Sequence, residues 1–126
     1  MVGRRTWKMP ITSACLETEN DMKSINIIVI PAVGEATARQ VSSYDEMTAI
    51  VGGYLEVVCG RDFSMYLNEE GKMTRLLPNH RATQFCAVEG VGLDPHDVIA
   101  GDVFLCGLPD RQGEDTDVPE RLRELL

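Results

Sequence analysis

The sequence predicts an α+β domain whose mainly antiparallel sheet could be barrel-like, accompanied by two short helices. Three observations lead there. Short apolar stretches recur between turn residues, helical spacing fills only two brief windows, and no window is long enough for the crossover helices of a parallel sheet.

The elements follow in order. Met1 to Asp21 is polar, is interrupted by Pro10, and shows neither a period of two nor one of 3.6. Residues 1–21 are therefore expected to be a flexible arm or an extension from an upstream start codon, with the domain beginning at Met22. Ile25 to Ile30 reads as a strand stopped by Pro31, and Glu35 to Val41 as a second extended segment after an Ala32-Val33-Gly34 turn. Ser42 and Ser43 are N-cap residues, Asp45 and Glu46 suit the positive end of a helix dipole, and Met47, Ile50 and Val51 share a face. Gly52 ends this helix, expected over residues 43–51, in the left-handed conformation that glycine adopts without strain.

Tyr54 to Cys59 and Phe63 to Leu67 form a predicted hairpin around Gly60-Arg61-Asp62. In its second strand Phe63, Met65 and Leu67 are expected to face the core, with Ser64 and Tyr66 on a wetter side. Asn68 to Gly71 is a turn, and Lys72 to Leu77 a short strand ended by Pro78. Asn79 then caps a helix over Arg81 to Val88 that turns Ala82, Phe85 and Cys86 inward. Gly90 to Pro95 is a loop, and Val103 to Cys106 the last strand. Residues 22–108 are read as one domain. Residues 109–126 are read as an acidic linker followed by a short helix or tail, with Leu122, Leu125 and Leu126 on one side.

A chain of 126 residues can bury a core without disulfides. Its 44% hydrophobic and 25% charged residues are those of a globular protein and exclude wholesale disorder. The net charge of -8 keeps such a protein soluble, repels phosphate backbones and disfavours anionic membranes, so neither direct nucleic-acid binding nor membrane binding is expected. An acidic surface suits a basic partner. The longest apolar run, Ile27 to Ile30, cannot span a bilayer, and no apolar stretch follows Arg4, Arg5 and Lys8 as a signal peptide would require. A cytoplasmic protein with reduced thiols is expected, since Cys15, Cys59, Cys86 and Cys106 are far apart and include no Cys-x-x-Cys pair. No metal site or cofactor is predicted: the cysteines, His80 and His96 lack zinc-ligand spacing, and the glycine-rich phosphate loops are absent.

Nucleophilic chemistry has one candidate pair, Cys86 with His80, set against a buried cysteine that merely lies near an exposed histidine. Three other features are candidate ligand-binding positions. Gly52, Gly53 and Tyr54, with Glu56 on the following strand, would allow close backbone approach to a ligand, or serve as a helix stop. Asn79, His80 and Arg81 would hold a phosphate or carboxylate at a helix start, or be a cap with Arg81 paired to Glu69 or Glu70. Asp102, after Gly101, would be a ligand contact or a turn cap.

The ordered series Gly52-Gly53-Tyr54-Leu55-Glu56-Val57-Val58, Asn68-Glu69-Glu70-Gly71-Lys72, Leu77-Pro78-Asn79-His80-Arg81-Ala82-Thr83 and Val98-Ile99-Ala100-Gly101-Asp102-Val103 resembles a family of short proteins of phages, plasmids and bacterial, especially actinobacterial, genomes. The resemblance spans about Met22 to Gly107, and an opening near Met22 fits it. That family is a domain of unknown function, so no catalytic role is implied. Its pattern often has a second basic residue where this chain has His80, which weakens an anion site built on two arginines. The resemblance implies a small accessory protein of a virus or mobile element.

Three functions follow as expectations. The first is a non-enzymatic accessory protein that binds a host component and interferes with host defence. The second is a protein that binds or sequesters a small nucleotide-like anion, with Gly52, Gly53, Asn79 and Arg81 lining a pocket at the interface of a homo-oligomer. The third is an acidic DNA mimic that inhibits a host DNA-binding protein.

Overall fold

Four isoleucines, at positions 25, 27, 28 and 30, make one extended segment apolar on both sides, which suits a strand covered on two faces. The computed structural model of the chain describes residues 4–7, 21–70, 75–91 and 98–126. The elements are β1 (Arg4–Trp7), β2 (Asp21–Ile30), β3 (Thr37–Ser43), α1 (Tyr44–Val51), β4 (Leu55–Cys59), β5 (Phe63–Asn68), α2 (His80–Val88), β6 (Val103–Gly107) and a 3-10 helix, η1 (Glu120–Leu125). The fold is α+β. The strands form one sheet in the order β1-β4-β5-β6-β2-β3, every neighbouring pair antiparallel. It does not close into a barrel: β1 and β3 are its two edges.

Among the described residues, each face of the sheet carries one α-helix. On one face Met47 and Val51 of α1 pack with Ile25, Ile27, Val41, Leu55, Val57, Tyr66 and Phe104. On the other, Ala82, Phe85 and Cys86 of α2 pack with Ile28, Ile30, Phe63, Met65, Val103 and Leu105. The central strand β5 is therefore buried at all six positions. This corrects the expected wet side of Ser64 and Tyr66. The alternation is real, but α1 covers the face that the sequence left open, and Tyr66 stacks on Phe104 there at 5.0 Å. Phe63 meets Phe85 at 5.1 Å on the opposite face, a tilted contact of the kind aromatic pairs prefer.

Helix α1 begins and ends where the sequence indicates. Ser43 is its N-cap, accepting from the Glu46 amide, and Gly52 closes it at φ 81 with its N–H on the Thr48 carbonyl. Of the expected short strand over Lys72 to Leu77, residues 72–74 lie outside the described residues. Leu76 and Leu77 are not in a strand, and Pro78 makes an isolated bridge to Ala100. Within the expected N-terminal arm, Arg4–Trp7 pairs along β4 as an edge strand.

Where the sequence suggests an acidic linker followed by a short helix or tail after residue 108, the structure has a strap that ends in η1. Gly107 N–H donates to the Thr116 carbonyl, and the Asn26 N–H to Asp117 Oδ1. Val118 N–H then donates to the Asn26 carbonyl, so residues 116–118 continue the row that β6 vacates at Gly107. Before the crossing, Tyr66 Oη donates to Asp115 Oδ1 at 2.7 Å on the α1 side. After it, η1 lays Leu122 into the α2-side core, with Val118 and Leu125 packed at its margin and Leu126 exposed.

Candidate functional site

Asn79 is fully buried, and each of its polar groups has a partner. Its Nδ2 donates to the carbonyls of Ile30 (2.8 Å) and Gly101 (2.9 Å), and its Oδ1 accepts from the Ala82 amide (2.9 Å). Its own N–H donates to the Ile99 carbonyl, and its carbonyl accepts from Thr83. Thr83 Oγ1 in turn accepts from the Ile99 amide. The side chain thus ties the end of β2, the approach to β6 and the start of α2 into one knot. It has no donor left for a ligand.

His80 and Arg81 point the other way. Both are exposed on the first turn of α2. No described residue makes an ion pair with Arg81, so the partnership with Glu69 or Glu70 does not form. Leu77 just before the helix is 61% exposed, and Val88 at its end 76%. With Gln84, also exposed, His80 and Val88 form an i, i+4, i+8 stripe flanked by Arg81.

Gly52, Gly53 and Tyr54 lie at the same end of the sheet, because the start of β4 pairs with the end of β5. They leave from the end of α1, however, and so from the opposite face. The structure therefore brings Asn79, His80 and Arg81 together and keeps Gly52 and Gly53 apart from them. Gly53 has a packing role: a Cβ there would meet Asn68 Nδ2 at 2.9 Å. That amide donates to the Val51 carbonyl, while Asn68 Oδ1 accepts from Glu70 N–H, so Asn68 ties α1 to the end of β5. Tyr54 is 60% exposed, and its carbonyl accepts from the Glu69 amide. Glu56 is half-buried within β4, opposite Leu67 and Thr6. Asp102 Oδ1 accepts from the Ala32 amide at 2.9 Å, which ties the approach to β6 to the bend after β2.

Cys86 is buried with its thiol on Met65 Sδ at 3.8 Å, and burial pushes its pKa up to about 11. A nucleophile needs the thiolate, which this environment withholds, and His80 sits on the solvent side of the helix. Burial, then Asp115 and Cys59, raise Cys106 as well. Among the described residues no group of histidine, cysteine and carboxylate side chains could hold a metal ion, while Cys15 and His96 lie outside them.

Two features escape the sequence reading. One is Arg121, whose guanidinium clasps Asp62 (2.8 and 2.7 Å) and Glu89 (3.2 and 2.7 Å), fastening η1 to the β4–β5 turn and to the end of α2. The other is an open groove of about 210 Å³ on β2 and β3, lined by Asn26, Ile28, Gln40, Arg39, Val118 and Arg123 among others. No sequence motif marks either, since both arise from the return of the C-terminal segment.

The family described as a domain of unknown function (DUF3846) matches residues 22–126. The chain belongs to this family. The DUF3846 match takes in the strap and every strand of the sheet except β1, in keeping with the packing of η1 against the core. No curated protein and no solved structure matches the chain. No described helix of this DUF3846 member is long and apolar enough to cross a membrane.

Proposed function

We propose that this chain is a non-enzymatic accessory protein of a phage or mobile element, which binds a host macromolecule in the host cytoplasm through the outer face of α2 and interferes with host defence. One observation carries the reading. Leu77, His80, Arg81, Gln84 and Val88 are all exposed along the outer side of α2, which sets a guanidinium without an ion-pair partner among the described residues beside exposed apolar side chains. Such a mixture suits a protein partner, because arginine and apolar anchors supply binding energy once a partner excludes water. A small ligand wants a concave site that buries most of its surface. The groove formed by the described residues lies elsewhere, on β2 and β3.

The test is affinity capture from a lysate of the bacterium that carries the gene. The native chain is compared with a variant combining Leu77→Ser, Arg81→Ala and Val88→Ser. A host protein retained by the native chain and lost with the variant, at unchanged melting temperature, supports the reading. Equal retention by both chains, or by neither, removes it.

A second reading, a small nucleotide-like anion, is favoured by the exposed Arg81 at the helix start. Calorimetry with nucleotides tests it, and Arg81→Ala should abolish the heat. The DNA-mimic alternative is supported by the net charge of -8 alone.

A further inference from the structure

Among the described residues no strand pairs with the outer edge of β3, whose hydrogen-bonding groups can be assigned residue by residue. On β2, Asn26 uses both its N–H and its carbonyl toward the β6 side, where Asp117 and Val118 hold them. Backbone direction alternates along a strand, so Ile25, Ile27 and Val29 bond to β3 at Val41, Arg39 and Thr37. It follows that Ala38, Gln40 and Ser42 turn their amides and carbonyls outward. Ser42 bears this out, because its N–H reaches away from β2 to Glu46 Oε1 at 2.8 Å, and its hydroxyl donates to the same oxygen at 3.0 Å. Residues 37–40 are all exposed, and the strand TARQVSS contains no proline. An edge of this kind recruits another strand unless something guards it.

We propose that Glu46 is a latch that keeps the outer edge of β3 from pairing with a second copy of this chain. The edge is self-complementary. In an antiparallel pairing centred on Gln40, Gln40 meets its own counterpart and Ala38 meets Ser42 of the second copy. Arg39 then lies across from Val41, so no like charges are opposed. Arg39 lies 3.5 Å from Glu46 within one copy and helps to hold that carboxylate over the edge. The absence of opposed like charges suits pairing with a second copy once the latch is removed. While Glu46 holds the Ser42 amide, the bonds at both ends of the paired stretch cannot form, and its side chain occupies the place of the incoming Ala38. The edge is closed in the native monomer. This inference concerns a different surface from α2 and stands independently of the proposed host partner.

Light scattering after size exclusion, at high micromolar concentration, tests the proposal. The native chain is expected at monomer mass and Glu46→Ala at twice that mass. Adding Gln40→Pro to Glu46→Ala should restore the monomer, because the lost N–H points outward and β2 pairing is untouched. Glu46→Met, which also lacks the acceptor, serves if the alanine variant fails to fold. Amide exchange on the native chain tests the latch separately, with Ser42 expected to exchange more slowly than Gln40. A native dimer, a monomeric Glu46 variant, a dimer that survives Gln40→Pro, or a Ser42 amide as fast as Gln40 would each overturn the proposal.

Discussion

Asn79 and Arg81 stand two residues apart and do opposite things. Replacing Asn79 with alanine leaves the buried carbonyls of Ile30 and Gly101 without their donor and removes the cap from Ala82. The expected loss is about 2–4 kcal/mol in urea unfolding. Arg81→Ala, on an exposed side chain without a described partner, should stay within about 0.5 kcal/mol. The sequence shows Asn79 as a cap because an asparagine after Leu-Leu-Pro and before a helical window has few other uses. It could not show the reach of Nδ2 to Ile30 and Gly101, which depends on how β2 and β6 come together. Cysteine chemistry follows the same division. Cys86 and Cys106 should resist a thiol reagent at pH 8 until the chain unfolds, while the half-buried Cys59 reacts in the native state. Fast native labelling of Cys86 would contradict the packing described.

At the scale of elements, local signals were enough wherever an element is fixed by its own residues. Ser43 and Gly52 bracket α1 because a hydroxyl cap and a left-handed glycine are short-range chemistry. The Ser-x-x-Glu spacing from Ser43 to Glu46 also marks a capping box, yet Glu46 reaches one residue further back, to Ser42, because the edge amide there has no other acceptor. β5 was legible as a strand but not as a doubly covered one, since coverage depends on where α1 lands. η1 lies where the sequence allowed a short helix, but the charges that hold it, Asp62 and Glu89, are distant in sequence and left no local trace. Its clasp is sensitive to acid. The Arg121 side chain, bonding to each, holds Asp62 and Glu89 below their ordinary pKa values. Carboxylates depressed in the folded state stabilise it above their unfolded pKa, and that contribution is lost as pH falls through the folded values. Arg121→Ala should therefore lower the melting temperature at pH 7, and the difference from the native chain should shrink below the ordinary carboxylate range. A constant difference down to pH 2 would mean that the guanidinium acts by packing alone.

The whole molecule depends on its two ends of sequence meeting. Leu122 is 2% exposed in the α2-side core, and Leu122→Ala is expected to destabilise by about 2–5 kcal/mol, measured by urea unfolding. Gly107→Ala should be similarly harmful, because a Cβ there would fall 2.4 Å from the Asp117 carbonyl oxygen and push the strap off. The α+β class was legible from strand and helix windows alone. Sheet order was not, since β2 pairs with both its sequence neighbour β3 and the distant β6. The strap has a consequence for synthesis. Residues 116–118 complete the row beside β2, and Leu122 fills the core, so a growing chain holds an unfinished sheet until the strap has emerged from the ribosome. A product stopped at residue 108 is therefore expected to be a substrate for chaperones and proteases.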